Sequence, residues 1–147
     1  EEQSDLVKAY YKRLISDNRS IRIEAAKAWS IWEASTSKLI PTQTALHSFD
    51  NDDVAEAFAR IECHYFINKG FFKEDGWILN NIGKIKHIPG VIIQGRYDVV
   101  CPMKTAWELN KVWDNSELVI VDDSGHSMLE LGIQKELIKK TKFFETY

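Results

Sequence analysis

Pro89-Gly90-Val91-Ile92-Ile93-Gln94-Gly95-Arg96-Tyr97-Asp98 decides the class of fold. Val91-Ile92-Ile93 is short, continuously apolar and β-branched, the pattern of a strand buried on both faces. Pro89-Gly90 marks its start and Gly95-Arg96-Tyr97-Asp98 its end. Further on, Leu118-Val119-Ile120-Val121 repeats the pattern and runs into Asp122-Asp123-Ser124-Gly125-His126. Between the two runs, Pro102 to Trp113 has helical spacing, with Pro in a tolerated first-turn position. A last helix starts at Ser127 or Leu131 and takes the chain to its end. The series β-α-β-α implies a parallel strand pair with a right-handed crossover. The fold class is therefore α/β. Two parallel strands and their helices cannot cover both faces of a sheet, so the pattern asks for more strands than it contains.

Upstream, residues 1–88 read as helical. Ser4 is a suitable N-cap, followed by Leu6, Val7, Tyr10 and Leu14 at helical spacing. Ser16-Asp17-Asn18 is a stop. A second helix is nucleated near Ser20, with Ile21, Ala25, Ala28 and Trp32 on one stripe, and Pro41 ends that region. A third helix starts within Asp50-Asn51-Asp52-Asp53 and places Val54, Phe58, Ile61 and Tyr65 on one stripe. Gly70 is the expected residue just past its end. A shorter helical piece runs from Trp77 to Lys86. The chain thus divides at residue 88 into a helical part, 1–88, and a β-α-β-α part, 89–147.

Composition narrows the function. The 147 residues are 44% hydrophobic and 28% charged, ordinary for a globular chain and unlike disordered or collagen-like sequences. No apolar run approaches the ~20 residues of a membrane span. A net charge of −3 with no basic stripe argues against a nucleic-acid partner. Two Cys make no disulfide framework, and neither has metal-ligand spacing, so no metal or cofactor is expected and a cytoplasmic, reducing setting is the default. Cys63 and His64 adjoin Glu62 without a third ligand at metal spacing. Cys101 reads as a small buried residue, and His47 and His87 as surface loop residues. Glu130 favours the N-terminus of the last helix.

Asp98 and His126 carry the chemistry. Alone, one is a turn residue and the other a loop histidine. Together they occupy equivalent places, each just past the carboxyl end of a strand, where open α/β sheets build their sites. A buried carboxylate there fixes an imidazole's tautomer, and the second ring nitrogen is left to take a proton from a serine. Gly125 lets a tight loop aim the ring. Asp followed by His is also the order of the last two triad members in α/β-hydrolases.

The stretch Val91 to Pro102 resembles the Asp motif of the proline iminopeptidases, a family of α/β-hydrolases, and Asp122 to Ser127 resembles their His motif. Ala26-Lys27-Ala28-Trp29-Ser30-Ile31-Trp32-Glu33 and Ala59-Arg60-Ile61-Glu62-Cys63-His64-Tyr65-Phe66 are similar to two segments of that family's helical cap. The resemblance implies a cap at 1–88 and the C-terminal part of the hydrolase domain at 89–147. It implies that Asp98 orients His126, the general base and then acid. Glu33 and Glu62 would bind the protonated amino terminus of a peptide substrate, and Phe66 would wall the pocket for an N-terminal proline ring. Aromatic residues around both glutamates fit a cation as the occupant, since a carboxylate among rings is costly to desolvate without one. On spacing alone, both also read as surface glutamates at the edges of amphipathic helices. Leu131 stands where the family usually has Pro, so the start of the last helix departs from the pattern.

A nucleophile is missing. The sequence contains no G-x-S-x-G and no Gly-rich oxyanion loop, parts that lie upstream of the cap in the family. The chain, which starts at Glu1 without Met, is expected to be the C-terminal half of such an enzyme, inactive when isolated. Its expected partners are the missing N-terminal half or a second copy paired through an exposed sheet edge. Alternatives are another capped α/β-hydrolase, an esterase or an epoxide hydrolase, or a non-catalytic binding or assembly module.

Overall fold

Asn51 starts one helix by itself: its side-chain oxygen accepts the backbone N–H groups of Asp53 and Val54, two donors that the first turn leaves without helical partners. Asp5 and Asn18 do the same for two earlier helices in the computed structural model, which describes residues 2–42, 47 and 49–146. In chain order the elements are α1 (Leu6–Leu14), α2 (Arg19–Thr36), α3 (Asp52–Ile67), a short α4 (Trp77–Asn81), β1 (Gly90–Gly95), α5 (Met103–Val112), β2 (Ser116–Val121) and α6 (Leu131–Glu145). The class is α/β, as expected. Glu1, on which the expected cut point falls, lies outside the described residues.

The chain forms two compact units. One comprises Glu1–Ser35 with Pro41–Lys73, and the other Thr36–Ile40 with Glu74–Tyr147. In the helical unit α1 packs on α3. Its core is made of Leu14, Ala25, Ala26, Ala55, Ala59 and Cys63, with Val7, Tyr10, Tyr11, Trp29 and Phe49 against it. Leu14, only 1% exposed, contributes roughly 2 kcal/mol by leaving water. Arg22 donates to Glu56, Lys27 pairs with Asp52, and Arg19 pairs with Asp52 and Asp53, so ion pairs link α2 to α3.

Several expectations for this unit change. The first N-cap is Asp5, whose carboxylate accepts the Lys8 N–H, and not Ser4, which belongs to a 3-10 turn over Glu2–Ser4. The expected stripe of α2 holds at Ala25, which is buried, but Trp32 is 67% exposed and Ile21 is exposed, and Ala26, Ser30 and Ala34 are buried in their place. On α3, Ile61 is 62% exposed, with Val54 and Tyr65 also exposed, while Ala55, Ala59 and Cys63 are buried. Ala25 and Ala26 of α2 and Ala55 and Ala59 of α3 share one buried cluster with Leu14 and Cys63, so the small residues face the core and the large ones point away. Past α3 the left-handed turn begins one residue early, with positive φ at Lys69, Gly70 and Phe71.

In the α/β unit, β1 and β2 pair in parallel, Gly90 opposite Ser116 through Gly95 opposite Val121. α5 and α6 pack on both strands. Trp113 donates its indole N–H to the Ile88 carbonyl, and Asn115 donates its side-chain amide to the His87 carbonyl, which anchors the start of β1. Val91, Ile92 and Ile93 are half-buried and not fully covered as expected, because among the described residues this sheet has two strands.

Candidate active site

β1 ends at Gly95, and the chain turns at once: Asp98 donates its N–H to the Gly95 carbonyl, a turn bond. β2 ends at Val121, the register partner of Gly95, so the two following loops start side by side. Arg96 donates its N–H to the Val121 carbonyl at 2.9 Å and Tyr97 its N–H to the Ser124 carbonyl at 3.0 Å. Glycine is needed here. A Cβ on Gly95 would collide with the Gly125 carbonyl oxygen and lie 2.7 Å from that of Ser124.

This close approach brings Asp98 and His126 together. His126 Nδ1 lies 3.0 Å from Asp98 Oδ2. A carboxylate only accepts, so the hydrogen sits on Nδ1 and the neutral ring presents Nε2 as an acceptor. The Asp98 side chain is 6% exposed and that of His126 34%, so the orienting group is shielded and the imidazole can be reached. Asp98 Oδ1 accepts the backbone N–H groups of Val100 at 3.0 Å and Cys101 at 2.7 Å. The loop thus grips the carboxylate by its own backbone.

Gln94 completes the grip and was not singled out by the sequence. Its side-chain amide, buried at the end of β1, donates to Asp98 Oδ2 at 3.1 Å and to the carbonyls of Cys101 and Gly95. The available signal was a polar residue directly after an apolar strand run, because a buried amide must find partners. Glu130 was expected to favour a helix N-terminus. Its carboxylate instead accepts the Gly125 N–H at 2.8 Å, next to His126, and the Leu39 N–H at 3.2 Å. Cys101 is exposed, contrary to the expectation of a buried residue.

The other candidate residues belong to the helical unit. Glu62, on α3, accepts the indole N–H of Trp29 at 2.6 Å. Trp29 stands edge-on to Tyr10, with ring centroids 5.4 Å apart, and tilted over Phe66 at 5.9 Å. Glu62, Trp29 and Phe66 therefore form one group. Glu33 is half-buried on α2, one turn beyond Trp29. Cys63 is buried beside Glu62, and burial with that nearby carboxylate pushes its thiol up, away from reactivity. Among the described residues no three His, Cys, Asp or Glu side chains converge as metal ligands, and no helix is long and apolar enough to cross a membrane.

No family model matches the chain. Its similarity to individual proteins is extensive. Over 144 residues, 98% of its length, it is 56% identical to a protein of Leptolyngbya boryana named probable proline iminopeptidase, of which it covers 45%. It is 51% identical over 94% of its length to the proline iminopeptidase of Arabidopsis thaliana, covering 36% of that protein. Against the proline iminopeptidase of Xylella fastidiosa strain 9a5c it is 48% identical over 88% of its length, covering 41%. The chain spans less than half the length of these curated relatives. The resemblance drawn from four short motifs therefore extends along nearly the whole chain.

Proposed function

We propose that this chain supplies the acid–base pair and the amine-binding residues of a proline iminopeptidase, a serine-type hydrolase that releases N-terminal proline from peptides. Asp98 hydrogen-bonded to His126 at 3.0 Å, at the ends of two parallel strands, carries the reading. Asp98 holds the Nδ1–H tautomer, leaving Nε2 to take the proton of an attacking serine. His126 then returns that proton to the leaving amine, and water repeats the cycle on the acyl-enzyme. The serine and the oxyanion donors come from outside these 147 residues, which contain no G-x-S-x-G. The names of the relatives, and their greater length, support that division of labour.

In the same reading residues 1–88 act as a helical cap and 89–147 as the C-terminal part of the hydrolase domain. Glu62, steadied by Trp29, and Glu33 receive the substrate's secondary ammonium, while Phe66 contacts the proline ring. A carboxylate beside aromatic faces suits a cation, which is attracted by charge and by the ring quadrupoles. The two free thiols are compatible with a cytoplasmic setting.

Release of a chromogenic amine from a prolyl amide tests the assignment in a protein of the relatives' length that contains this chain. Asp98→Asn should lower kcat by roughly 10³- to 10⁴-fold, since it installs the wrong tautomer, and the isolated 147 residues should show no turnover. Activity that survives both Asp98→Asn and His126→Ala would overturn the reading.

A further inference from the structure

Glu130 stands immediately before α6 with an extended backbone, and its side chain caps none of that helix's own N–H groups. Its two oxygens go to two separate segments instead: Oε1 to the Gly125 N–H, five residues away, and Oε2 to the Leu39 N–H, 91 residues away. Beside this bridge the Ser37 carbonyl accepts two more donors, the His126 N–H at 3.0 Å and the Ser127 N–H at 2.7 Å. Four hydrogen bonds in a row thus fasten residues 37–39 along residues 125–127. Gly125 makes room for them, because a Cβ there would lie 2.8 Å from the Leu39 nitrogen and 3.2 Å from the Lys38 carbonyl carbon. The opposite side of the same loop leans on the end of β1 through Tyr97 and Gly95.

We infer that Glu130 is a positioning residue for His126, acting through a strap formed by Ser37-Lys38-Leu39. The loop around His126 has no helix or strand of its own, so its stiffness comes from tertiary bonds. Two are supplied by a carboxylate, and bonds to an ionised acceptor are about twice as strong as neutral ones. Fixing the His126 and Ser127 backbone fixes the direction from which the imidazole leaves it. The bond from Nδ1 to Asp98 depends on that direction and weakens steeply as its angle closes. The strap also explains why Thr36–Ile40 groups with the α/β unit.

The geometric part of this inference stands on the chain alone, and its catalytic part rests on His126 being the general base. Glu130→Ala, and the milder Glu130→Gln, which keeps one acceptor oxygen, are compared with the unaltered chain by amide hydrogen exchange and by the NMR signal of the His126 Nδ1–H. Losing the bridge should speed exchange at Gly125, Leu39, His126 and Ser127 by about tenfold or more. It should also broaden the Nδ1–H signal, while the β1–β2 amides keep their protection. Glu130→Gln should lie between. Unchanged exchange at His126 and Ser127 with an intact Nδ1–H signal overturns the inference, and if Glu130→Ala fails to fold, Glu130→Gln decides alone. In the longer catalytic protein, kcat for a prolyl amide should fall about 10- to 100-fold at nearly constant KM, the cost of a misplaced catalytic group. Absence of prolyl amidase activity in the unaltered protein would defeat the functional reading yet leave the exchange result to judge Glu130.

Discussion

The α/β unit holds its proposed catalytic pair with backbone, and the helical unit holds its proposed amine-binding residues with side chains. Around Asp98 and His126, strand ends and turns supply most of the contacts: N–H groups of Val100 and Cys101 on the carboxylate, the Ser37 carbonyl on the His126 loop, and Gly95 against Gly125. Around Glu62, an indole N–H and two aromatic rings do the work, each projected from a helix. Catalytic pairs need sub-ångström placement, which backbone sustains well because it is already ordered by the sheet. A pocket for a small cation needs charge and shape, which side chains on helices can supply.

The contrast can be broken most forcefully at Gly95. Gly95→Ala puts a methyl group into the Gly125 carbonyl, and the expected loss is about 3 kcal/mol of stability with the His126 loop displaced. Urea denaturation and the His126 NMR signals check it. A neutral substitution would mean that the close approach of the two loops is not required. Trp29→Phe probes the helical site. It keeps a ring but removes the donor to Glu62, so the expected loss is about 1–2 kcal/mol, measured as a shift in the urea midpoint at constant slope. No shift would show that packing, and not the hydrogen bond, holds that group.

The smallest effect concerns pH and the helical unit alone. The Glu56 carboxyl is held below the usual carboxylate range, chiefly by the hydrogen bond from Arg22, with Arg60 adding to it and burial opposing it. A carboxylate whose folded value is depressed contributes stability above its unfolded value and loses it as pH falls through the folded one. Glu56→Gln should therefore cost roughly 1 kcal/mol or less near neutrality. The two curves of stability against pH should begin to close near about pH 4, the unfolded value of a glutamate, and converge once pH has fallen through the lower folded value. A constant difference down to strong acid would remove Glu56 from the account of acid sensitivity.

Legibility differed between the two units for a physical reason. The strands and the Asp98–His126 pair could be read because each depends on local features: a β-branched run, the turn that ends it, and a chemically distinctive residue in that turn. The helix faces could not. α2 and α3 each carry two plausible stripes, one of large apolar residues and one of alanines. Periodicity favours Ile21, Ala25 and Trp32, or Val54 and Ile61, but the buried cluster takes Ala25 with Ala26, and Ala55 with Ala59. Gln94 was visible only as a polar residue after an apolar run. Trp29 stood within a recognised segment, yet nothing in its spacing told that its N–H meets Glu62.

The sequence by itself determined the α/β class, the order of elements, the two strand-end residues and the resemblance to proline iminopeptidases. All of these are written in short windows of chain. Only the tertiary structure decided which helix faces are buried, that Gln94 holds Asp98, and that Glu130 joins Leu39 to Gly125. A hydrogen bond between residues 91 positions apart leaves no periodicity in a sequence, because it depends on where the fold brings the two segments.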